Sequence, residues 1–402
     1  MAQLAERMTT MKKSADAVRG LFESMTDPSV ISFGGGSPAW ATFPVDELRQ
    51  IADDILQVPG KGQAALAYGN PQGQMELRQV ICDKLLPNRG IQGASPRQVI
   101  VVNGGLETMN LVSQAYLNKG DVVLVEDPSF VQCIEIFQML EATCVPVACD
   151  DDGVIVEDLK EKFEKYQPKI IYLITSFHNP AARTTSWARR QEIAAFTNQH
   201  PETIVIEDDP YVELRYEGED IPALKTLDTC GNVVFANSFS KIFSPGARVG
   251  YCYAEEEIIR HLYDVKTATN SQTSTLIQVL CAEYFNRGYF DDHITKARAF
   301  YKEKRDIALA ALEKYMPEGT KIVRPEGGLF IWVELPEGSV NTTKLLDRAL
   351  EKKVSFLPGE CFFIGEGRGT NCMRISFGSL TPEQIDSGLS ILGGLIREEM
   401  DA

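Results

Sequence analysis

The chain has 402 residues, 44% hydrophobic, with 56 acidic side chains against 40 basic ones and a formal charge of −16. That is enough apolar material for one large α/β domain and a smaller one, each with its own core, and it argues against disorder. The acidic balance, with no basic run to offset it, excludes nucleic acid as a partner, because phosphate-backbone binding is driven by clustered Lys and Arg.

No apolar run approaches the roughly 18 residues that suggest a membrane span. The start, Met-Ala-Gln-Leu-Ala-Glu-Arg, lacks the apolar core of a signal peptide. Nine isolated cysteines show neither Cys-x-x-Cys nor Cys/His metal spacing. They read as reduced thiols, mostly buried, of a cytoplasmic protein that holds no metal.

In chain order, residues 1–44 carry an amphipathic helical stretch and an extended Ile31-Ser32-Phe33, expected to pack beside the C-terminal unit. Residues 45–285 alternate helical stretches with short β-branched runs at 98–102, 122–125, 170–174, 203–206, 233–236 and 249–254. Runs that are apolar without alternation, spaced by crossover-length segments, predict strands buried on both faces of a mostly parallel sheet. The expected architecture is a three-layer α/β/α domain. Residues 286–402 change character: one long charged helix at about 292–315 precedes strands at 329–333, 354–356 and 373–377, which predicts a small α+β domain.

Several strand ends carry groups suited to a ligand. Ile100-Val101-Val102-Asn103-Gly104-Gly105-Leu106 runs from a strand through glycines into a helix, where backbone N–H groups and the helix dipole favour an anion. Glu126-Asp127-Pro128-Ser129-Phe130 ends a second strand, and Phe130 can stack on a ring or simply fill core. Ser176-Phe177-His178-Asn179-Pro180 ends a third, where an amide before proline is held extended. Glu207-Asp208-Asp209-Pro210-Tyr211 ends a fourth, at the edge where such sheets bind ligands. Asp208 can pair with a protonated ring nitrogen and Tyr211 can reach a ring oxygen; the alternative is a turn of solvated acids. Gly365-x-Gly367-x-Gly369 precedes a strand, not a helix, so it is no dinucleotide fingerprint.

The most informative segment is Asn237-Ser238-Phe239-Ser240-Lys241-Ile242-Phe243-Ser244-Pro245-Gly246-Ala247-Arg248-Val249-Gly250. A lysine amine, protonated at neutral pH with a pKa of about 10.4, becomes a nucleophile or base only where cations or desolvation disfavour its charge. Arg248 and the apolar run Val233-Val234-Phe235 supply that setting. Ser238, Ser240 and Arg248 also make an anion clamp beside the amine, the layout a phosphorylated aldehyde requires.

Together these segments resemble the pyridoxal-phosphate enzymes of the aspartate aminotransferase fold, fold type I. The resemblance runs from Ile31-Ser32-Phe33-Gly34-Gly35-Gly36 through Tyr68-Gly69-Asn70-Pro71-Gln72-Gly73 to Asn371-Cys372-Met373-Arg374, and is nearest to the 2-aminoadipate and kynurenine aminotransferase group. It implies pyridoxal 5'-phosphate as cofactor, with Lys241 forming the Schiff base, Asp208 on the pyridine nitrogen, and Asn179 and Tyr211 on the ring hydroxyl oxygen. Phe130 takes the stacking position, where tyrosine is common. Backbone N–H of Gly105 and Leu106, the hydroxyls of Ser238 and Ser240, and Arg248 would hold the phosphate. Tyr68 corresponds to a tyrosine that reaches the neighbouring subunit's phosphate, which implies a homodimer with shared active sites.

Arg374 matches the arginine that binds the substrate α-carboxylate, a task for a planar fork of donors. Gly36 lies by the same carboxylate, and Asn179 also faces substrate. Two departures stand out. Arg248 lies seven residues after Lys241, where aspartate-type enzymes have eight, and Gly104-Gly105-Leu106 replaces the usual Gly-Ser-Gln. The implied reaction is a ping-pong transfer of an amino group from an α-amino acid of 2-aminoadipate, aromatic or branched-chain type to a 2-oxo acid such as 2-oxoglutarate. Lyases and decarboxylases share the cofactor cradle, and a transcription-regulator effector domain shares the fold. The latter is disfavoured by the acidic charge and the short segment before Ile31. Arg19 aligns with a helix that contacts substrate side chains, but a solvated helix arginine accounts for it equally.

Overall fold

The computed structural model describes residues 3–5, 7–10 and 27–401. A short strand β1 (Ile31–Ser32) is followed by the helix Val45–Gln57 and then by the strands of an eight-stranded sheet. These are β2 (Val99–Val102), β3 (Val122–Asp127), β4 (Thr143–Asp150), β5 (Gly153–Val154), β6 (Ile170–Leu173), β7 (Ile204–Asp208), β8 (Val233–Ser238) and β9 (Gly250–Tyr253). Their order is β2-β9-β8-β7-β6-β3-β4-β5, with β8, β7, β6, β3 and β4 mutually parallel and β9 and β5 reversed.

The unalternated sequence runs have a direct structural cause. In β2, Val99 and Val101 enter one core while Ile100 and Val102 enter another on the opposite face. In β6, Ile170 and Tyr172 face one core and Ile171 and Leu173 the other. Helices Gly105–Tyr116 and Glu256–Thr269 contribute Met109, Leu111, Val112, Ile258, Ile259 and Leu262 to one covering layer. Helices Val156–Tyr166 and Trp187–Thr197 cover the other face through Leu159, Phe163 and Ile193. With both faces buried, side chains of either parity must be apolar.

After the 27-residue helix Tyr289–Tyr315, strands β10 (Lys321–Ile322), β11 (Phe330–Glu334), β12 (Val354–Ser355), β13 (Leu357–Pro358) and β14 (Cys372–Ser376) appear. Four of them form an antiparallel sheet in the order β10-β11-β14-β13, while β12 pairs in parallel with β1. The helix Pro382–Met400 crosses Tyr289–Tyr315 so closely that a Cβ on Gly393 would collide with Tyr315 O.

Differences from the sequence expectation are local. β4 was not anticipated: Pro146 interrupts its run and its residues are mostly half-exposed, both marks of a strand near a sheet edge. The run expected at 249–254 is β9, antiparallel to both neighbours. β8 continues two residues beyond the expected 236, to Ser238, which puts that hydroxyl on the strand end itself. Among the described residues no helix is long and apolar enough to cross a membrane, and no group of three His, Cys, Asp or Glu could hold a metal ion.

Sheet register gathers the strand ends. Ser238 pairs with Gly250, which pairs with Val102; Asp208 pairs with Ala236; Leu173 pairs with Glu207. The four segments that follow these strands therefore emerge along one edge.

Candidate active site

Lys241 lies in the turn after β8, half-buried, and its Nζ donates to Gly36 O at 2.7 Å. Its ammonium sits 5.6 Å from the centre of the Tyr211 ring. Burial, then Arg374, then Arg248 lower its pKa to about 8. The sequence named Arg248 and desolvation as causes; Arg374, the larger of the two charges, comes from the far end of the chain. Among the described residues no carboxylate pairs with Lys241, so its charge is opposed by both cations and relieved by none.

Arg374, on β14, is buried. Its Nη1 donates to Asn179 Oδ1 at 2.7 Å and its Nη2 to Gly34 O at 2.5 Å, while Nε has no partner among the described residues. The rings of Phe330 and Phe362 lie 4.2 and 5.2 Å from the guanidinium carbon. Burial pulls the group down to about 10. A buried cation that, among the described residues, is supported by neutral oxygens and aromatic faces without a carboxylate is unbalanced, and its Nε is suited to an incoming anion.

Asp208 ends β7, buried, and burial raises its pKa to about 7. Tyr172 OH donates to its Oδ2 at 2.8 Å and opposes that rise. Its neighbours are not solvated acids. Asp209 pairs with Arg89 at 2.7 Å and Glu207 faces Arg190 at 3.5 Å, all four side chains being essentially inaccessible. Asp208 is the member of the trio that no cation neutralises within the described residues.

The residues expected to clamp an anion come together from three segments. Gly105 opens the helix Gly105–Tyr116, whose first N–H groups have no intrahelical acceptor. A Cβ on Gly105 would lie 3.7 Å from Ser238 Cβ and 4.0 Å from Asp208 Oδ1, which places the helix start directly against the strand ends. Ser238 and Ser240 hydroxyls are 2.9 Å apart, and Arg248 Nη2 donates to Asn103 O at 2.8 Å. Gly104 has φ 82°, and a side chain there would strike Arg248 Nη2 at 2.5 Å. Gly105 thus adjoins Ser238 and Asp208, and Lys241, Arg374 and Asp208 gather around Tyr211; candidate anion donors, a buried carboxylate and a deprotonatable lysine are the set that a phosphorylated pyridine aldehyde needs.

The remaining expected residues fall as follows. Tyr211 is buried and stacks edge-on to Phe330 at 5.5 Å. Phe130 caps the helix Val131–Met139, half-buried, beside Ser129, whose N–H donates to Phe362 O at 2.9 Å. Leu106 follows Gly105 into the same helix start. Gly36 is next to Lys241, and it is Gly34 that holds Arg374, a division of labour the sequence did not show. Tyr68 stands apart, 95% exposed. Arg19 lies outside the described residues.

A profile of class I and II aminotransferases matches residues 29–392. The chain belongs to this family. An aromatic-amino-acid aminotransferase from Thermococcus litoralis is 36% identical to this aminotransferase over 401 residues, 98% of this chain and 94% of that one. The crystal structure of Pyrococcus horikoshii kynurenine aminotransferase, in complex with PMP, superposes with a TM-score of 0.90 at 35% identity, covering 96% and 95% of the two chains. That of a Thermus thermophilus alpha-aminoadipate aminotransferase, complexed with N-(5'-phosphopyridoxyl)-L-leucine, gives 0.87 at 31% identity and 97% coverage of both. The aminotransferase has the aspartate aminotransferase fold and is a pyridoxal-phosphate-dependent transaminase.

Sequence reasoning missed Tyr172, Phe330 and Phe362. Tyr172 had one available signal: a hydroxyl within the apolar run Ile170-Ile171-Tyr172-Leu173 must find a partner when buried. The two phenylalanines gave none, because their role arises only when β11 and the segment before β14 meet Arg374.

Proposed function

We propose that the aminotransferase moves the amino group of an aromatic α-amino acid to a 2-oxo acid such as 2-oxoglutarate in a ping-pong cycle, with 2-aminoadipate and branched-chain amino acids as further donors. The observation that carries this reading is the pair of cations, Lys241 and Arg374, that no carboxylate compensates among the described residues, grouped with Asp208 around Tyr211. The rings of Phe330, Phe362 and Tyr211 around Arg374 favour an aromatic side chain, as do the relatives' substrates.

Bound in the cradle, pyridoxal 5'-phosphate supplies an aldehyde carbon and an electron sink. Gly105, Leu106, Ser238, Ser240 and Arg248 would hold its phosphate, and Phe130 would offer an apolar face to its ring. Asp208 would keep a proton on the ring nitrogen, and Asn179 and Tyr211 would offer hydrogen-bonding groups to the ring oxygen. Arg374, with Gly36 and Asn179 beside it, grips the substrate carboxylate and so points the Cα–H bond at Lys241. Lys241 Nζ takes the Cα proton as general base and returns a proton as general acid, a role matched to a pKa of about 8 near physiological pH. Tyr68 would complete the site of a second subunit, and the exposed Leu66 and Met75, close to it in the chain, support an interface there. Sedimentation at twice the chain mass is the expected result; a fully active monomer would contradict it.

Tyr172→Phe tests the Asp208 assignment. Without the hydroxyl the Asp208 carboxyl rises further, so its ionised form is lost at higher pH as acid is added. The acidic limb of the pH–rate profile should move to higher pH and kcat should fall by about tenfold at neutral pH, with KM little changed. An unmoved limb would count against Asp208 as the ring partner.

Substrate class is read from half-reactions. With no 2-oxo acid present, the cofactor absorbance of the wild-type enzyme should change fastest with phenylalanine, tyrosine or kynurenine, and more slowly with 2-aminoadipate and leucine. Response to glutamate and 2-aminoadipate alone would overturn the aromatic preference.

A further inference from the structure

Lys266 is fully buried on the helix Glu256–Thr269, and its Nζ lies 2.8 Å from Glu107 Oε2 and 3.1 Å from Asn270 Oδ1. Glu107, the third residue of the helix Gly105–Tyr116, turns its carboxylate back over the turn that precedes it. There it accepts from the Asn103 backbone N–H, from Asn103 Nδ2 at 3.2 Å and from Asn270 Nδ2. Asn103 is gripped from the other side as well, its carbonyl accepting from Arg248 Nη2 at 2.8 Å.

One residue thus joins a buried ion pair to the cationic arm of the phosphate clamp. The arrangement answers a weakness of this sequence: Gly104-Gly105-Leu106 offers no side-chain donors, so this wall of the cradle depends on backbone N–H groups whose direction must be fixed. It also carries an electrostatic problem. A carboxylate in the first turn favours the helix but competes with a second anion at the same N-terminus. Lys266, approaching from another helix, is the charge that removes the conflict.

We propose that Glu107 and Lys266 are positioning residues for the cofactor phosphate: Glu107 fixes the Asn103–Gly105 turn and with it Arg248, and Lys266 cancels the negative charge that would otherwise oppose the phosphate. This rests on Gly105, Leu106, Ser238, Ser240 and Arg248 being the phosphate site.

The test titrates cofactor-free enzyme with pyridoxal 5'-phosphate and, separately, with pyridoxal, which lacks the phosphate. Lys266→Met should raise the Kd for pyridoxal 5'-phosphate by about 10- to 100-fold and leave that for pyridoxal nearly unchanged. Glu107→Gln keeps an acceptor for the Asn103 N–H while losing the charge, and should bind pyridoxal 5'-phosphate no more weakly than wild type. The double variant should recover most of the affinity that Lys266→Met loses, and it carries the test if the single variant does not fold. Wild-type affinity in Lys266→Met, an equal loss for both ligands, or no recovery in the double variant would overturn the proposal. Arg248→Met separates the two levels: if it weakens pyridoxal 5'-phosphate binding while Lys266→Met does not, only this inference fails. If neither variant weakens it, the phosphate site itself is misassigned.

Discussion

Lys241→Ala is expected to lower kcat by roughly four orders of magnitude or more, because it removes both the proposed covalent anchor of the cofactor and the proposed base for the Cα proton. Steady-state turnover and the absorbance of the lysine-linked cofactor check this together, and both should vanish. The structure says why a substitute will not serve. The ammonium rests on Gly36 O and over the Tyr211 ring, and its pKa is set by burial and two nearby cations. An arginine there would keep a charge that cannot be shed near neutral pH, so Lys241→Arg should be as inactive as alanine. Retained turnover in either variant would mean that another group handles the proton.

Arg374→Ala should cost about 2–5 kcal/mol in kcat/KM, or roughly 30- to several-thousand-fold, the usual loss when one partner of a buried charged contact is truncated. The loss should fall mainly on KM for the amino acid and for the 2-oxo acid alike, since both present the same carboxylate. Arg374→Lys should recover little, because the site uses a planar fork: Nη1 on Asn179, Nη2 on Gly34 O, and Nε without a partner among the described residues. A second consequence has a definite sign. Arg374 depresses the Lys241 pKa, so its removal lets that pKa rise from about 8 toward the ordinary lysine value. Less neutral lysine is then present at pH 8, and the limb of the pH profile that reports its deprotonation should move to higher pH. A pH profile unchanged in Arg374→Ala would mean the two groups are not coupled as the geometry indicates.

Much of this site was legible in the sequence because its parts sit at strand ends, where local pattern and chemistry coincide. Ser238, Lys241 and Arg248 lie in one segment, and Asp208 follows an apolar run that can only be a buried strand. Gly104 and Gly105 mark the strand-to-helix junction on their own. What escaped were contacts made by register and packing between distant segments. Tyr172 meets Asp208 across adjacent strands, Gly34 meets Arg374 over more than three hundred residues, and Lys266 meets Glu107 between two helices. No local pattern announces such pairs. β4 was hidden by its proline and by the mixed burial of an off-centre strand. The acids flanking Asp208 were ambiguous for a related reason: only the arrival of Arg89 and Arg190 shows that Glu207 and Asp209 are interior and structural.

The most direct test of amino-group transfer is a single turnover of wild-type enzyme with an amino acid and no acceptor, followed by product analysis. One equivalent of 2-oxo acid per active site should form, with the nitrogen retained on the enzyme until a second 2-oxo acid is added and with no ammonia or CO₂ released. Ammonia in step with the 2-oxo acid, or CO₂ in its place, would show that the same residues run elimination or decarboxylation, and transamination as the chain's reaction would be wrong.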